Sequence, residues 1–211
     1  MTPFKFRASS LATIMTEPKT KGDALSAGAK TELNLIAKEL VYGFNRSFSS
    51  KYTEKGTMVE PDALALYNSV FFTSHTKNTE RRTNDWITGE CDIYTGEKVI
   101  DLKSSWSLPT FPATAAEGKD TTYEWQIRAY LWLWDCPEGE VAYCLVDTPP
   151  DLIGWESEDL HYVSEIPEVL RVTRVPYKRD KALEDRIKFK VDAANAYLNQ
   201  LVKQIADEHA A

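Results

Sequence analysis

The sequence is poor in cysteine and histidine, the residues that most often hold metals or redox centres. Its three cysteines show no C-x-x-C spacing, and its three histidines are widely scattered. An odd cysteine count without paired spacing predicts neither a disulfide framework nor a zinc or iron–sulfur site. So few and scattered histidines also disfavour catalysis that depends on histidine. The residues are Cys91, Cys136, Cys144, His75, His161 and His209.

Long apolar runs are absent as well. No stretch approaches the roughly 18 apolar residues of a membrane span, and the first residues, MTPFKFRASSLATIM, lack the core and cleavage site of a signal peptide. A hydrophobic fraction of 43% with 11% aromatic residues is typical of a globular protein. The length of 211 residues fits one domain. We therefore expect a single domain over residues 1–211, located in the cytoplasm and not in a membrane.

Basic residues are missing from residues 135–168, which contain ten acidic residues and no lysine or arginine. This acidic segment would be a poor surface for DNA, so we expect it to face outward or to dock a partner. Residues 171–190 have the opposite character, with eight basic and three acidic residues. This basic segment can follow a phosphate backbone or form the solvated face of a helix, and charge alone does not decide between the two.

Apolar periodicity predicts helices at both ends of the chain and strands between them. Pro61 suits a first helical position, and Gly43 suits the end of a helix. The order helix, helix, hairpin, helix, strand, strand, helix predicts an α/β fold with a small mixed β-sheet flanked by helices. The predicted helices cover residues 22–44, 59–72, 122–134 and 180–206, the hairpin covers 86–104, and the later strands cover 140–148 and 169–177.

The hairpin has carboxylates and a lysine between its apolar residues. If it turns at Thr95-Gly96, antiparallel pairing sets Asp92 opposite Val99 and Glu90 opposite Asp101. Side chains two residues apart share a face of a strand, so the charged and the apolar residues separate onto opposite faces. The predicted charged face has Glu90, Asp92, Asp101 and Lys103, and the apolar face has Cys91, Ile93, Ile100 and Leu102.

This register makes Asp92 and Asp101 diagonal neighbours, roughly 7–8 Å apart at the backbone, so that both carboxylates can reach one ion. Oxygen ligands of this kind suit Mg²⁺ or Mn²⁺. Lys103 would point at the same place, where it could hold an attacking water or offset charge on a phosphate. A solvent-facing sheet surface accounts for the same residues, and the pattern D-x8-DxK does not by itself choose between the two interpretations.

Several motifs in one order resemble the PD-(D/E)xK nuclease superfamily, and within it the phage-type exonucleases of the lambda-exonuclease and YqaJ group. They are Gly89, Asp92, VIDLK at residues 99–103 and a helix with Gln126 and Tyr130. Four further stretches match in the same order, at residues 7–15, 25–33, 55–67 and 124–134. The sequence departs from the pattern in two places, with Asp101 where many relatives have Glu and Cys91 where a proline often precedes the first aspartate.

The resemblance implies a restriction-endonuclease-like core and a role for each matching residue. Asp92, Asp101 and the Leu102 carbonyl would bind metal, with Glu60 joining them, and Lys103 would orient the attacking water. Gln126 and Tyr130 would lie beside the metal and the DNA backbone. Each has a competing structural role: Glu60 precedes Pro61 and can cap a helix, and Gln126 and Tyr130 can be a satisfied amide and a core tyrosine on one helix face.

Near the N-terminus, Arg7, Ser9 and Ser10 have side chains that fit the oxygens of a terminal 5′-phosphate. A helix N-cap at Ser9 or Ser10 explains the serines equally well.

The activity that the resemblance implies is degradation of linear double-stranded DNA by an exonuclease with one or two Mg²⁺ or Mn²⁺ ions. It also implies 5′→3′ polarity leaving a 3′ single strand, a ring-shaped homotrimer, and a partner that anneals single strands during phage recombination in a bacterial or phage-infected cell. The alternatives are a structure-specific endonuclease or nickase of the same fold and a non-catalytic DNA-binding module.

Overall fold

The computed structural model describes residues 2–47 and 49–209, which form a mixed α/β structure. The helices are α1 (Leu11–Met15), α2 (Ala27–Tyr42), α3 (Lys51–Met58), α4 (Glu60–Phe71), α5 (Thr121–Leu133), α6 (Pro150–Ile153) and α7 (Lys181–His209). The strands are β1 (Phe6–Arg7), β2 (Arg82–Thr83), β3 (Ile87–Gly89), β4 (Ile93–Tyr94), β5 (Lys98–Ser104), β6 (Glu138–Cys144) and β7 (Val172–Lys178). No helix in these residues is long and apolar enough to cross a membrane.

The strands form two small mixed sheets. One has the order β1-β3-β2, and the other has the order β4-β5-β6-β7, with β5 and β6 parallel and both outer pairings antiparallel. One core cluster joins α1, α2, α5 and α7 to the sheets, and a second lies between α4 and the opposite face of the four-stranded sheet. The predicted α/β fold with a small mixed sheet flanked by helices is confirmed, with the sheet divided in two.

The long helices end where local chemistry stops them. Ser26 caps α2 by accepting a hydrogen bond from the Ala29 amide, and Gly43 ends the helix in the left-handed conformation that glycine adopts most easily. Pro61 lies in the first turn of α4, as predicted. The polar helix α3 was not predicted, because its sequence KYTEKGTM has too few apolar residues for a periodic pattern.

The predicted hairpin at 86–104 is wrong in two respects. The chain bends at residues 90–92, so β3 pairs within the first sheet and only β4 pairs with β5. The register is also two residues away from the prediction, with Ile93 opposite Ile100 and Tyr94 opposite Val99. The turn lies one residue later than predicted. Gly96, with φ of 95°, is the first of the two central residues of the turn, and a two-residue hairpin turn favours glycine at this position.

These differences move two side chains, Glu90 and Cys91, away from the faces predicted for them. A shift of two residues keeps every side chain on its own face, so Asp101 and Lys103 stay together. Continued by one residue beyond β4, the observed register sets Asp92 directly beside Asp101. The bend turns Cys91 into the core with α5 instead of beside Ile93, and Glu90 forms an ion pair with Arg81, away from the other carboxylates.

Candidate active site

The strand β5 has Asp101 and Lys103 on the face that α5 covers. It is an interior strand, held by β4 on one side and by the full length of β6 on the other. Asp101 is only 2% exposed, because α5 packs directly over it. This face is therefore a covered surface and not the solvated side of a sheet, which answers the question that the sequence pattern left open.

A single amide links the charged groups on this face. Gln126 Nε2 donates to Asp101 Oδ1 at 3.1 Å and to the Tyr130 hydroxyl at 3.0 Å, and Gln126 Oε1 accepts from Lys103 Nζ at 3.2 Å. Lys103 Nζ also lies 2.8 Å from Asp101 Oδ2. Each of these four side chains is thus held by at least one hydrogen bond or ion pair, as a preorganised site requires. Gln126 and Tyr130 are satisfied buried groups and neighbours of the carboxylates at the same time.

Close packing of α5 against β3 depends on one glycine. A Cβ atom at Gly89 would lie 2.7 Å from the ring of Tyr130 and 3.1 Å from the Ala8 side chain. Any larger residue would push α5 outward, and with it Gln126. The glycine singled out in the sequence pattern therefore fixes the distance between helix and strand.

Asp92 enters the site from the bend before β4. Its Oδ2 accepts a hydrogen bond from the Leu102 amide at 2.7 Å. The amide and the carbonyl of one strand residue point to the same edge of that strand, so the Leu102 carbonyl lies at the edge where Asp92 sits. Asp92, Asp101 and the Leu102 carbonyl are in this way brought to one place.

The charges at this place are strongly coupled. Burial, and then the nearby Asp101 carboxylate, raise the pKa of Asp92 to about 7. Burial opposes the charge on Lys103, but the ion pair with Asp101 outweighs it and raises the pKa of this lysine. Burial also raises the pKa of Tyr130, so that its hydroxyl stays protonated. Lys103 is therefore a cation, and Asp92 exchanges its proton in the neutral range.

The oxygen atoms in this place fit a hard divalent cation. Asp101 Oδ2 is buried and accepts no hydrogen bond from any residue that the structure describes, although the Lys103 ammonium is close to it. Across residues 2–47 and 49–209, no third acidic, cysteine or histidine side chain joins Asp92 and Asp101 in a metal-binding cluster. Two carboxylates and a carbonyl are what Mg²⁺ or Mn²⁺ uses when it keeps several waters for itself and for substrate oxygens.

Glu60 lies at the wall of the same cavity but is engaged elsewhere. It is the first residue of α4, and its carboxylate forms an ion pair with Lys77. Glu60 is close enough to add to the field that raises the pKa of Asp92. Its role in metal binding stays a prediction.

The carboxylates open into a cavity of about 960 Å³. Ser9 lines it, whereas Arg7 is exposed on β1 and Ser10 donates to the Arg7 carbonyl instead of capping α1. The proposed 5′-phosphate contacts thus lie near the site, with only Ser9 at its wall, and their function stays a prediction. Further lining residues that the sequence pattern did not identify are Tyr52, Thr57, Trp106, Lys119, Tyr123 and Tyr143.

A buried lysine supports one wall of the cavity. Four acceptors lie within hydrogen-bond distance of Lys55 Nζ and share its three N–H donors: the carbonyls of Ser105 (2.7 Å), Trp106 (3.0 Å) and Val146 (3.0 Å) and the Thr148 hydroxyl (2.8 Å). Burial lowers the pKa of Lys55 to about 8, so the group is still mostly charged at pH 7. No signal in a single sequence distinguishes such a lysine from the many exposed ones.

The two charged segments are less uniform than their composition indicates. In the acidic segment, Glu140 is buried, where it accepts hydrogen bonds from Tyr67 and Lys98, so the expectation that this segment faces outward is wrong for Glu140. Several basic residues of the basic segment form ion pairs within the chain, so fewer basic side chains remain to bind a phosphate backbone. These pairs are Arg174 with Glu140, Arg179 with Asp135 and Glu184, Arg186 with Glu17, Lys188 with Asp185 and Lys190 with Glu17.

Comparison with known proteins found similar proteins among the solved structures. No family model matches the chain, and no curated protein matches it. A solved phage-related exonuclease from Haemophilus somnus 129PT is 38% identical, with 96% of this chain and 97% of that chain covered and a TM-score of 0.89. The alkaline exonuclease LHK-Exo from Laribacter hongkongensis is 17% identical, with 98% and 93% covered and a TM-score of 0.70, which shows the shared fold alone.

Proposed function

This chain belongs to the phage-type exonucleases of the lambda-exonuclease and YqaJ group, and on that premise we propose that it degrades linear double-stranded DNA from its ends with the help of Mg²⁺ or Mn²⁺. Membership of the group makes the chain a nuclease. The observation that supports the proposed chemistry is the buried Asp101 carboxylate, which shares Gln126 with Lys103 and lies beside Asp92.

In this proposal, Asp92, Asp101 and the Leu102 carbonyl would hold one or two ions, and Glu60 would assist from the cavity wall. A bound divalent cation supplies positive charge to phosphate oxygens and makes an attacking water more acidic. Lys103 would orient that water and offset the charge that develops on the phosphate. Gln126 holds both Asp101 and Lys103, so it would keep the nucleophile and the metal ligands in a fixed relation.

The finer features of the proposal come from the family, apart from the 5′-phosphate contacts, which rest on the fit of guanidinium and hydroxyl groups to phosphate oxygens. They are 5′→3′ polarity, a ring-shaped homotrimer around DNA, binding of a terminal 5′-phosphate by Arg7, Ser9 and Ser10, and a single-strand annealing partner in phage-type recombination. We propose them together, because an exonuclease that leaves 3′ single strands produces the substrate that an annealing protein needs.

Digestion of linear duplex and of covalently closed circular DNA of the same sequence tests the proposal. The expected result is loss of the linear form with Mg²⁺, no loss with EDTA, and an intact closed circle. Nicking or linearisation of the circle would instead assign the chain as an endonuclease of the same fold. No loss of either form with Mg²⁺ or Mn²⁺ would contradict catalysis altogether.

Duplexes labelled at one 5′ end, with and without a terminal phosphate, test the polarity. Early release of labelled mononucleotide, faster from the phosphorylated end, is expected for 5′→3′ digestion. Retention of the 5′ label on shortening strands would contradict it.

A further inference from the structure

The ammonium group of Lys103 has a third neighbour besides Asp101 and Gln126. The face of the Tyr123 ring lies 4.6 Å from Lys103 Nζ, measured to the ring centroid. A lysine ammonium has three donors, and the two oxygen contacts leave one side of it for the ring. A cation over the face of an aromatic ring at this distance is attracted by the ring quadrupole.

The ring is itself held in place from two directions. Asp120 caps α5 by accepting hydrogen bonds from the amides of Thr122 (2.6 Å) and Tyr123 (3.2 Å), which fixes the backbone from which the ring extends. The ring also packs edge-to-face against Tyr143, with 6.0 Å between centroids.

Tyr143 in turn is anchored to the strand beside Lys103. It lies on β6 in register with Lys103 on β5, and its hydroxyl donates to the Gly118 carbonyl at 2.8 Å. The Tyr123 ring therefore contacts residues of two adjacent strands, Lys103 on β5 and Tyr143 on β6. A lysine side chain has four rotatable bonds and loses more rotamer freedom than most when it is held, so a fixed surface against its head restricts where the ammonium can lie.

We propose that Tyr123 is a positioning residue, whose ring face fixes the Lys103 ammonium beside Asp101 during phosphodiester hydrolysis. The inference rests on the proposed nuclease activity and adds to it a group that acts through Lys103. Because the ring acts on the catalytic step, its loss should lower kcat and leave KM for linear duplex nearly unchanged. A ring that instead stacked on a nucleobase would change mainly KM.

Substitution at Tyr123 separates the ring face from the hydroxyl. Tyr123→Phe keeps the ring and should retain wild-type kcat within about 3-fold, whereas Tyr123→Leu removes the quadrupole and should lower kcat roughly 3- to 30-fold, the size of one cation–π contact. Trp125→Leu is the matched control, since Trp125 lies on the same helix with Arg186 5.2 Å from its ring, outside the active-site cavity. It should keep wild-type kcat.

Fluorinated phenylalanines at position 123 test the mechanism at constant shape. Successive fluorination weakens the negative face of the ring, so kcat should fall stepwise from phenylalanine to the pentafluoro form. A flat series, or wild-type kcat in Tyr123→Leu, would overturn the inference while wild-type digestion of DNA leaves the proposed function in place. A wild-type protein that digests no DNA would overturn both.

Discussion

At the scale of single residues, the site brings a buried and a partly buried carboxylate together. Asp101 is buried, and Asp92 holds its proton up to a pH of about 7 because of burial and the charge of Asp101. Lys103 neutralises one negative charge, so the second is uncompensated whenever both aspartates are ionised. A divalent cation would remove this repulsion, and folding stability should therefore report cation binding directly.

The first prediction concerns the pH dependence of stability without divalent ions. The folded state holds the Asp92 proton more tightly than the unfolded chain, whose aspartates titrate near pH ~4. The stabilising contribution of Asp92 is thus fully present below pH ~4 and is lost as the pH rises through about 7. In EDTA, the melting temperature of wild type minus that of Asp92→Asn should decrease as the pH rises from about 5 to about 8.

Addition of Mg²⁺ completes this prediction. It should raise the wild-type melting temperature more at the alkaline end of the range than at the acid end, and should have little effect on Asp92→Asn. Parallel melting curves for the two proteins at every pH, with and without Mg²⁺, would contradict the assignment of Asp92 as a metal ligand.

Single-residue chemistry was partly predictable from the sequence. The spacing of Asp101 and Lys103 puts both on one face in any strand, and the helical spacing of Gln126 and Tyr130 puts both on one face in any helix. The neighbours Tyr123 and Lys55 were not predictable, because their contacts depend on how α5 and α3 pack against strands far away in sequence. Nothing in the residue type or the spacing of either one indicates such a contact.

At the scale of elements, the site depends on how α3 is joined to the ends of two strands. Lys55 on α3 binds backbone carbonyls just beyond β5 and β6, and so ties the cavity wall that contains Tyr52 and Thr57 to the strand that contains Asp101. A mostly polar helix of eight residues has little stability by itself. We infer that this one lysine holds α3 in position.

The second prediction follows from that role. Lys55→Met should lower the free energy of unfolding by about 3 kcal/mol, because several buried acceptors lose their donor and water cannot replace it. Lys38→Met on the exposed face of α2 is the control and should change stability by less than about 0.5 kcal/mol. Denaturant midpoints at neutral pH measure both, and equal midpoints for the two variants would show that Lys55 contributes nothing special.

The elements were predicted best where the pattern was long. The main helices and the later strands were predicted within a few residues, since each has several periodic apolar positions. The hairpin register was wrong by two residues, because it depends on which residue of the turn adopts positive φ, and the break at residues 90–92 leaves no mark in an alternating pattern. A shift of two residues leaves every side chain on its own face of the strand, so Asp101 and Lys103 still share a face, as predicted.

At the scale of the whole molecule, attraction to DNA has to come from local charge. The chain has a net charge of −7, and its basic segment is largely engaged in internal ion pairs. The cavity wall has Lys77, Lys103 and Lys119, but Glu60, Glu117 and Asp120 line it as well as the two aspartates of the candidate metal site, so acidic residues outnumber lysines there too. Binding of a cation between those aspartates would make the cavity more positive, so cation and DNA should support each other's binding.

Recognition of the family from the sequence covered residues 7–134, and the solved relative extends the likeness over 96% of the chain. The later part was not recognised because its charged segments match no motif of the family, and its strands and helix have residues that many folds would accept. Of the motifs that were recognised, Asp92, residues 101–103, Gln126 and Tyr130 meet at the site, and the order of the motifs along the chain limited the fold as well as the chemistry.

The rate at which wild type, Asp101→Ala and Lys103→Ala digest linear duplex DNA with Mg²⁺ under single-turnover conditions is the most direct test that Asp101 and Lys103 carry the chemistry. Lys38→Ala, at an exposed lysine on α2 outside the active-site cavity, is the control. Both active-site variants should be slower by on the order of 100-fold or more, with the control unchanged. Equal rates in all four proteins would show that the hydrolysis takes place elsewhere.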